Sequence, residues 1–389
     1  MKKKMFSVIL SAAMAASMVC AVPAFAETVK IGVYEPASGD NGAGGKQETL
    51  GMQYAQTITP TVEIGGVTYD VELDIVDNES NNDKAVSAAS KLVTDGVSIV
   101  LGSYGSGVTI AGGQTFQDAG IPAIGVTCTN PQVTLAYPVY FRICFLDNFQ
   151  GAVLANYAAE NYENKVAYVL TKQGDDYSAG LGYYFTQAYE ALGGEVVTGA
   201  FPEGNSDFTS YLTSAKNAGA SVIFAPTSIE AAQLIIEQSA AQGIGLPLLA
   251  GDTWDSNMVL AAAEGKDVDI LITTFYQEGG NAEFDEGVKA FINGDSTNLA
   301  NNGGNDMVAA VTAMGYDAYN VALAAMQAAG SINPADILAA LPSLVVEDAV
   351  SGKIQFDENG DAIRNSAFVK TANTETGEWD FVAETSISE

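Results

Sequence analysis

The sequence predicts an α/β protein with two doubly wound lobes, each built on a parallel sheet, and a cleft between them. In two runs, apolar strand-like segments alternate with helical patterns, and this alternation is typical of parallel sheets with helices on both faces. The length of 389 residues exceeds what one compact core usually holds, which favours two domains. No low-complexity linker separates the two runs, so we expect closely joined lobes.

Residues 1–26 predict a signal peptide rather than a part of the fold. Three lysines precede an apolar stretch at 5–22 and an A-x-A pattern at 24–26. Cleavage after Ala26 is the favoured interpretation, and lipidation at Cys20 is the alternative, although the bulky Val19 precedes that cysteine. We therefore expect an exported protein, periplasmic or at the cell surface. No later apolar run reaches the roughly 18 residues of a membrane span.

The first run alternates strands and helices up to residue 126. Segment 67–78 alternates apolar and polar residues, which is a strand signal. Segment 81–95 spaces its apolar residues as a helix does, with an asparagine cap at its start and Gly96 at its end. The predicted elements are strands 29–34, 67–78, 97–101 and 121–126, and helices through 50–54 and over 81–95 and 107–119.

The alternation restarts after a long crossing near 136–147. The predicted elements of this second run are strands 166–170, 196–200, 222–225, 246–250 and 269–275, and helices 150–162, 179–192, 208–218, 229–242 and 258–263. An alanine-rich helix is predicted at 306–329, followed by a shorter helix with Asn333 as its cap and Pro334 at its first position. A strand pair ending near Val382 closes the chain.

The charge and the composition exclude several classes of function. The formal net charge is −31, which repels nucleic acid and anionic membrane surfaces. The chain contains no histidine, which excludes histidine-based triads and most zinc sites. After the signal only Cys128 and Cys144 remain. A disulfide between them stays open, and two buried thiols are the favoured interpretation. We expect no metal and no cofactor.

The segment FDENGD at 356–361 imitates the start of a calcium loop. Asp357, Asn359 and Asp361 occupy the first, third and fifth positions of such a loop. However, Ala362 replaces the glycine of the sixth position, and Phe368 replaces the glutamate of the twelfth. The segment therefore predicts a turn.

The segment LGSYGSGVT at 101–109 bends through three glycines after a buried strand, at the sheet end where α/β proteins bind ligands. A P-loop is excluded because Val108 replaces its lysine, and the dinucleotide fingerprint fails at Ile110. A catalytic serine is disfavoured, since G-x-S-x-G is absent and no histidine can activate Ser106. The Ser106 hydroxyl and the following helix N-terminus suit a carboxylate. A turn that only redirects the chain is the alternative.

Several segments occur in a characteristic order from about Thr28 to the C-terminus. They are IVLGSYGSGVT…DAGIPAIG, DNESNNDKAVSAASKLVTDGVSIVLG (77–102), FRICFLDNFQG (141–151), KVAYVLTKQGDDYSAG (165–180), LAGDTWDS (249–256), MGYDAYNVAL (314–323) and GKIQFDENGD (352–361). On these segments the chain resembles the branched-chain amino acid (Leu/Ile/Val) binding proteins of ABC importers. The resemblance implies the type I periplasmic binding protein fold, with two lobes joined by a hinge and a ligand cleft between them.

The resemblance also implies roles for individual residues. Ser106 matches the serine that binds the ligand's α-carboxylate. Thr127 and Thr129 match a loop in which a backbone carbonyl binds the ammonium and a threonine hydroxyl touches both polar ends. Tyr177 matches a tyrosine that closes over the ligand, and Asp252 matches, within one position, the acid that pairs with the ammonium. The candidate ligand-binding residues are Tyr104, Gly105, Ser106, Thr127, Cys128, Thr129, Tyr177, Thr227 and Asp252.

Simpler interpretations of three of these residues stay open. Tyr177 could only cover its own lobe. Thr129 precedes Asn130-Pro131 and could be ordinary turn chemistry. Asp252 lies in a strand-to-helix turn and could be a helix cap.

Departures from the family pattern predict that the pocket for the ligand's side chain differs in shape from that of the relatives. Gly44 stands where many relatives place an aromatic residue, and Thr227 stands where a tyrosine is frequent. Tyr104 and Trp254 add aromatic bulk near the rim of the cleft. Branched-chain aliphatic amino acids are the leading expectation for the ligand. Aromatic amino acids and small amides are the alternatives.

We therefore expect a subunit that captures an amino acid and delivers it to a membrane permease and its ATPase. A ligand sensor on the same fold is the alternative, and an enzyme is disfavoured because no base–nucleophile pair is present. We expect a monomer. Its N-terminal lobe comprises 27–146 plus about 277–350, and its C-terminal lobe comprises 147–276 plus about 351–389.

Overall fold

The computed structural model describes residues 27–162 and 165–386. The predicted signal peptide, with Cys20, lies outside the described residues. Within these two ranges, none of the helices combines the length and the apolar character that a membrane span requires.

The described strands form a six-stranded sheet, a seven-stranded sheet and a short two-stranded sheet. In chain order the strands are β1 (Glu27–Glu35), β2 (Thr61–Ile64), β3 (Val67–Asp77), β4 (Ile99–Leu101), β5 (Ala123–Gly125), β6 (Tyr140–Arg142), β7 (Val166–Lys172), β8 (Glu195–Phe201), β9 (Val222–Phe224), β10 (Leu248–Ala250), β11 (Ile270–Thr274), β12 (Val345–Val346), β13 (Ile354–Gln355), β14 (Ser366–Asn373) and β15 (Glu378–Ser386).

Helices connect most of these strands. In chain order they are α1 (Gly42–Ile58), α2 (Asn82–Asp95), α3 (Ser106–Ala119), α4 (Gln132–Ala136), α5 (Asp147–Asn161), α6 (Asp176–Ala191), α7 (Thr209–Asn217), α8 (Ile229–Gln242), α9 (Asn257–Ala263), α10 (Ala282–Gly294), α11 (Ser296–Asn301), α12 (Ala310–Ala329) and α13 (Pro334–Ala340). Short 3₁₀ turns lie at Asp252–Trp254 and Leu341–Ser343.

The six-stranded sheet has the order β2-β3-β1-β4-β5-β6. Its pairs are parallel except β2–β3, which is antiparallel. Along β1 the side chains alternate between two buried faces, as they must in a sheet with helices on both sides. Ile31 and Val33 lie in the core with α1 and α12, whereas Tyr34 lies in the core with α2 and α3.

The seven-stranded sheet has the order β15-β14-β11-β10-β9-β7-β8. Strands β7 to β11 are parallel to one another, and β14 and β15 add an antiparallel edge. Neighbouring residues again face opposite cores, since Ala250 packs with α7 and α8 and Leu249 packs with α5 and α6. After β6 the chain passes from the six-stranded sheet to the seven-stranded sheet. After β11 it returns to the six-stranded sheet, where α10 and α12 pack. At β14 it rejoins the seven-stranded sheet.

The predicted α/β class is confirmed, and the two runs of alternation correspond to the two large sheets. Strands β2, β6, β12 and β13, of two to four residues each, were missed. Helices α4, α10 and α11 were also missed. For α10 the pattern is present, because Phe284, Val288 and Ile292 recur every four residues and Asn281 caps the helix.

The alanine-rich helix begins later than predicted, at Ala310 rather than at residue 306. The preceding loop has its own hydrogen bonds. The side-chain amide of Asn302 donates to the carbonyls of Asn305 and Met307 at 2.8 and 3.0 Å. These bonds hold the backbone out of the helical path.

Helices α1 and α12 cross in backbone contact, and this contact sets the position of α1 beside the first sheet. A methyl group on Gly51 would overlap the carbonyl oxygen of Thr312, and one on Gly315 would overlap the carbonyl oxygen of Glu48. Two glycines facing each other's helix therefore allow the close approach. The crossing also fixes Glu48, whose side chain belongs to the site described below.

The variant Gly315→Ala should destabilise the fold by about 1–3 kcal/mol, because the added methyl group forces the two helices apart. The matched control is Gly294→Ala in α10, where a methyl group meets open space. Chemical denaturation measures both variants. Equal stability of Gly315→Ala and wild type would contradict the close crossing.

Candidate functional site

The loops after β4, β5 and β10 meet around a small cavity of about 40 Å³, which has room for a few water molecules. Its wall combines residues from the side of the first sheet, such as Ser106 and Thr127, with residues from the side of the second sheet, such as Tyr177 and Thr253. The cavity therefore lies between the two sheets, at the carboxyl ends of their parallel strands.

Ser106 lies at a corner of this cavity, at the start of a helix. Helix α3 begins at Ser106, with Gly105 as its N-cap. The Ser106 side chain is buried, and its oxygen accepts a hydrogen bond from the backbone N–H of Asn130 at 3.3 Å. The first N–H groups of a helix have no partner inside the helix and carry the positive end of its dipole. The hydroxyl and this helix end together suit a carboxylate.

The carboxylate of Glu35 anchors the loop that precedes Ser106. Its Oε2 accepts hydrogen bonds from the Tyr104 backbone N–H at 2.7 Å and from the Ser103 hydroxyl at 3.4 Å. Burial, together with the neighbouring Glu48 carboxyl, raises the pKa of Glu35 well above its ordinary value. These hydrogen bonds fix the loop after β4 against Glu35 at the end of β1.

Thr127 is oriented by a second buried glutamate, Glu48 of α1. The Thr127 hydroxyl donates to Oε2 of Glu48 at 2.7 Å. Burial raises the pKa of Glu48 to about 8, although this hydrogen bond acts in the opposite direction. Because the hydroxyl hydrogen points to Glu48, the Thr127 oxygen serves as an acceptor at the cavity wall.

Asp252 is the buried carboxylate on the side of the second sheet. Its Oδ1 accepts hydrogen bonds from the side-chain amide of Gln150 at 2.9 Å and from the Tyr177 hydroxyl at 3.0 Å. Burial raises the pKa of Asp252 to about 6, against the effect of these two donors. Asp252 is thus held next to a tyrosine that lines the cavity.

Thr227 supports the same wall from behind. Its carbonyl oxygen accepts a hydrogen bond from the Thr253 hydroxyl at 2.9 Å, and its hydroxyl oxygen accepts one from Nε1 of Trp254 at 3.3 Å. The Thr253 hydroxyl also lies 3.2 Å from the Tyr177 hydroxyl. Thr227 therefore positions Thr253 and Tyr177, while the Trp254 ring is fully buried.

The loop that carries Thr127 to Asn130 is clamped by a buried arginine. The Nη1 atom of Arg142 donates to the carbonyls of Cys128 at 2.8 Å and Asn130 at 2.6 Å. Asp361, in the turn at 356–361, neutralises this arginine by accepting from Nε at 2.9 Å and from Nη2 at 2.6 Å. The turn predicted there thus supplies the counter-ion that holds the loop.

A group of buried acceptors adjoins Asp252. Both carboxylate oxygens of Asp147, the Oε1 of Gln150 and the hydroxyl oxygen of Thr129 make no hydrogen bond of normal geometry. Burial raises the pKa of Asp147 to about 8, and the charge of Asp252 contributes in the same direction. The surroundings of Asp252 are therefore rich in buried polar atoms that have no hydrogen-bond partner of normal geometry.

The contacts that join the two sides of the cleft directly include the following three. The Tyr104 hydroxyl donates to the Thr253 carbonyl at 3.4 Å. Lys172 forms an ion pair with Asp40 at 2.5 Å. The Gln47 side chain donates to the Asn257 side chain at 3.2 Å.

Five of the nine candidate residues line the cavity, namely Tyr104, Gly105, Ser106, Thr127 and Tyr177. Asp252 and Thr227 contact the wall from behind, as described above. The Cys128 side chain instead belongs to the hydrophobic core with Tyr34 and Phe116. Among the described residues, Cys128 and Cys144 are both buried free thiols, without a disulfide.

Sequence reasoning missed Glu48, Gln150, Thr253 and Arg142. Gln150 and Arg142 lie in FRICFLDNFQG, and Thr253 lies in LAGDTWDS, so the resembling segments already contained three of them. Glu48 has no comparable signal, because a single carboxylate within a helical pattern usually faces solvent.

A larger cavity of about 480 Å³ lies between segments 277–308 and 370–379. Its wall mixes charges of both signs, with Lys289 and Lys370 near Glu278 and Asp306. Among the described residues, none of the nine candidates lines it. The smaller cavity is therefore the candidate site.

The two large sheets and the cavity between them define the class of α/β proteins that have a binding cleft between two domains. A family model described as "periplasmic binding protein" matches residues 28–377. The chain belongs to this family.

The sequence relatives are amino acid binding proteins by name. Leu/Ile/Val-binding protein homolog 1 of Brucella melitensis is 31% identical over 366 residues, which are 93% of this chain and 94% of the relative. A leucine-, isoleucine-, valine-, threonine- and alanine-binding protein of Pseudomonas aeruginosa is 27% identical and covers 90% of this chain and 92% of its own. The resemblance noted from the sequence is thereby confirmed.

Solved structures agree with the fold. The leucine binding protein LivK of Thermotoga maritima has a TM-score of 0.82 and 31% identity, covering 92% of this chain and 99% of its own. The branched-chain amino acid binding protein LivJ of Streptococcus pneumoniae, solved with isoleucine, has a TM-score of 0.78 and 26% identity, covering 93% and 99%. The predicted type I periplasmic binding protein fold is confirmed.

The variant Asp361→Asn should destabilise the protein by about 3–5 kcal/mol, because it leaves the buried Arg142 guanidinium without its counter-ion. Glu347→Gln is the control, since the Glu347–Lys353 pair is exposed on both sides and such pairs contribute less than about 1 kcal/mol. Urea denaturation compares the two. A similar loss of unfolding free energy in both variants would show that the buried pair stabilises the protein no more than the exposed pair does.

The variant Asp147→Asn should change how stability depends on pH. The pKa of Asp147 rises from 3.8 to about 8 on folding, so its stabilising contribution is complete below about pH 4 and is lost as the pH rises through 8. At pH 9 the variant should therefore exceed wild type by about 1–3 kcal/mol, and the gain should shrink toward pH 5. Thermal melts across this range measure it.

The control for this experiment is Asp70→Asn, which changes an exposed carboxylate of β3 and should keep the wild-type pH profile. A pH profile of Asp147→Asn parallel to that of wild type would mean that Asp147 does not titrate with a raised pKa.

Proposed function

We propose that this chain is the extracytoplasmic substrate-binding protein of an ABC importer and captures a small amino acid of the branched-chain class. The observation that carries the proposal is a cavity with the Ser106 hydroxyl and the start of α3 at one corner and a buried carboxyl group, Asp252, behind its opposite wall. Relatives named as leucine-, isoleucine- and valine-binding proteins support this ligand class.

The α-carboxylate of the ligand binds at the start of α3. The Ser106 hydroxyl donates to it, and the first backbone N–H groups of the helix point toward it. Gly105 has no side chain, so the ligand can approach this backbone closely.

The α-ammonium of the ligand pairs with Asp252 and with the acceptors near it. A charged group in a dry cleft costs several kcal/mol unless it is paired. The donors lie on one side of the cleft and the carboxylate on the other, so both ends of a zwitterion are satisfied only when the two sides are together. The ligand therefore shifts the population toward the closed arrangement.

We assign 27–146 plus about 277–350 to an N-terminal lobe, and 147–276 plus about 351–389 to a C-terminal lobe. The strand composition of the two large sheets and the packing of α12 on α1 support this division up to about residue 350. Beyond it, β13 pairs with β12, and Ile354 and Phe356 pack in the core of the first sheet. The hinge then consists of the segments after β6, after β11 and before β14. Bending at these segments opens the cleft.

The partners of this protein are a membrane permease and its ATPase, to which the monomeric, closed binding protein delivers its ligand. The family description supports a location outside the cytoplasm. The net charge of −31 opposes binding to nucleic acid.

The test is a thermal-shift screen of the mature protein with all standard amino acids, followed by calorimetry. One or a few amino acids should raise the melting temperature. Ser106→Ala and Asp252→Asn should each weaken binding by about 1–3 kcal/mol, because each leaves a charged end of the ligand without a partner.

Ser210→Ala and Asp70→Asn are the matched controls, since both change exposed residues away from the cavity, and both should bind as wild type does. A screen without any stabilising amino acid refutes the proposed function. Wild-type affinity of Ser106→Ala and Asp252→Asn removes these two residues from the site.

A further inference from the structure

One asparagine on the side of the seven-stranded sheet reaches across the cleft into a group of amides. Asn257 is the first residue of α9, shortly after the turn that carries Asp252, and it is 3% exposed. Val259 and Ala263 of the same helix pack in the core of the seven-stranded sheet. Asn257 therefore moves together with the wall that carries Asp252 when the cleft opens or closes.

The hydrogen-bond partners of Asn257 lie on α1 and on the loop after α11. Its Oδ1 accepts a hydrogen bond from Nε2 of Gln47 at 3.2 Å. Its Nδ2 donates to the carbonyl of Asn302, and also to Oδ1 of Asn305 at 2.9 Å. Both ends of this side-chain amide are thus paired, and each partner belongs to the side of the six-stranded sheet, where α1 and α12 pack.

The receiving side is shaped to fit this asparagine. Nε2 of Gln47 also donates to Oδ1 of Asn302 at 3.2 Å, so these two partners hold each other in place. A methyl group on Gly303 would lie 2.8 Å from both polar atoms of the Asn257 side chain, and the φ of +75° at this position favours glycine. We call Gln47, Asn302, Gly303 and Asn305 the amide socket.

The contact between Asn257 and the amide socket carries no charge. A cavity of about 410 Å³ borders it, and the lining of this cavity includes Gln47, Asn257 and the exposed Ser38, so water can hydrate these amides when the two sides separate. Taking an amide out of water costs less than taking out an ion, provided that the amide is hydrogen-bonded afterwards. The contact can therefore break and form again without leaving a buried charge unpaired.

We propose that Asn257 and the amide socket form a latch that holds the cleft closed and sets the rate of ligand release. This inference rests on the proposed function and goes beyond it, because none of the latch residues lines the ligand cavity. In the closed arrangement the latch holds the wall with Asp252 against α1, whose Glu48 orients Thr127. In the open arrangement the same amides bind water and add nothing to stability.

The test measures the association and dissociation rates of a radiolabelled amino acid, the one that gives the largest shift in the thermal screen described above. Asn257→Ala should raise the dissociation rate by about tenfold or more, because its hydrogen bonds exist only in the closed state. The association rate and the melting temperature of the ligand-free protein should stay as in wild type. A purely structural role would instead lower that melting temperature.

Gln47→Ala tests the same contact from the opposite side and completes a double-mutant cycle with Asn257→Ala. Gln47→Ala should speed release in the wild-type background and should have little further effect in the Asn257→Ala background, since the contact is then already lost. The matched control is Asn217→Ala, which changes an exposed asparagine of α7 and should release the ligand as wild type does.

A wild-type dissociation rate in Asn257→Ala overturns the latch, while the proposed function stands. Equal effects of Gln47→Ala in both backgrounds overturn it as well. Failure of Asn257→Ala to fold would also count against it, because the open protein does not depend on this contact. Absence of binding by every standard amino acid is a different result, since it refutes the proposed function and the latch with it.

Discussion

The candidate site depends on one buried ion pair, between Arg142 at the end of β6 and Asp361 in the turn before β14. The arginine holds two carbonyls of the loop that carries Thr127 and Thr129. The pair therefore connects the ligand loop, the chain leaving the first sheet and the chain rejoining the second. Buried charges of this kind persist only when each hydrogen-bonding group is satisfied, and Arg142 meets that condition with four acceptors.

The carboxyl groups around the cavity explain why a dipolar ligand suits it. Glu35, Glu48, Asp147 and Asp252 are all buried, and burial raises the pKa of each. So many carboxyl groups disfavour an anionic ligand in the cavity. The N-terminus of α3 nevertheless offers one place where a ligand carboxylate can bind. A molecule that carries an ammonium and a carboxylate a short distance apart offers a partner of opposite charge to each side of the cleft. Under the proposed function, Asp252 is the buried carboxyl group that pairs with the ligand's ammonium.

Parts of the site could be read from the chain because they coincide with local signals. Ser106 follows a glycine turn after a buried strand, and that position is at the ligand end of any parallel sheet. Tyr177 and Asp252 entered through resemblance, and both contact the cavity region. Glu48 and Arg142 could not be found in this way. Each acts through a partner more than 70 residues away along the chain, Thr127 for Glu48 and Asp361 for Arg142.

The sequence by itself determined the class of fold, the two sheets and the loops at their carboxyl ends, because strand and helix periodicity and glycine turns are local properties. It also determined the absence of histidine chemistry and the strong negative charge. The tertiary structure decided which carboxyl groups are buried and that Tyr104 fills the space left by Gly44. These depend on distances between segments far apart in the chain, and packing sets such distances only when the whole chain has folded.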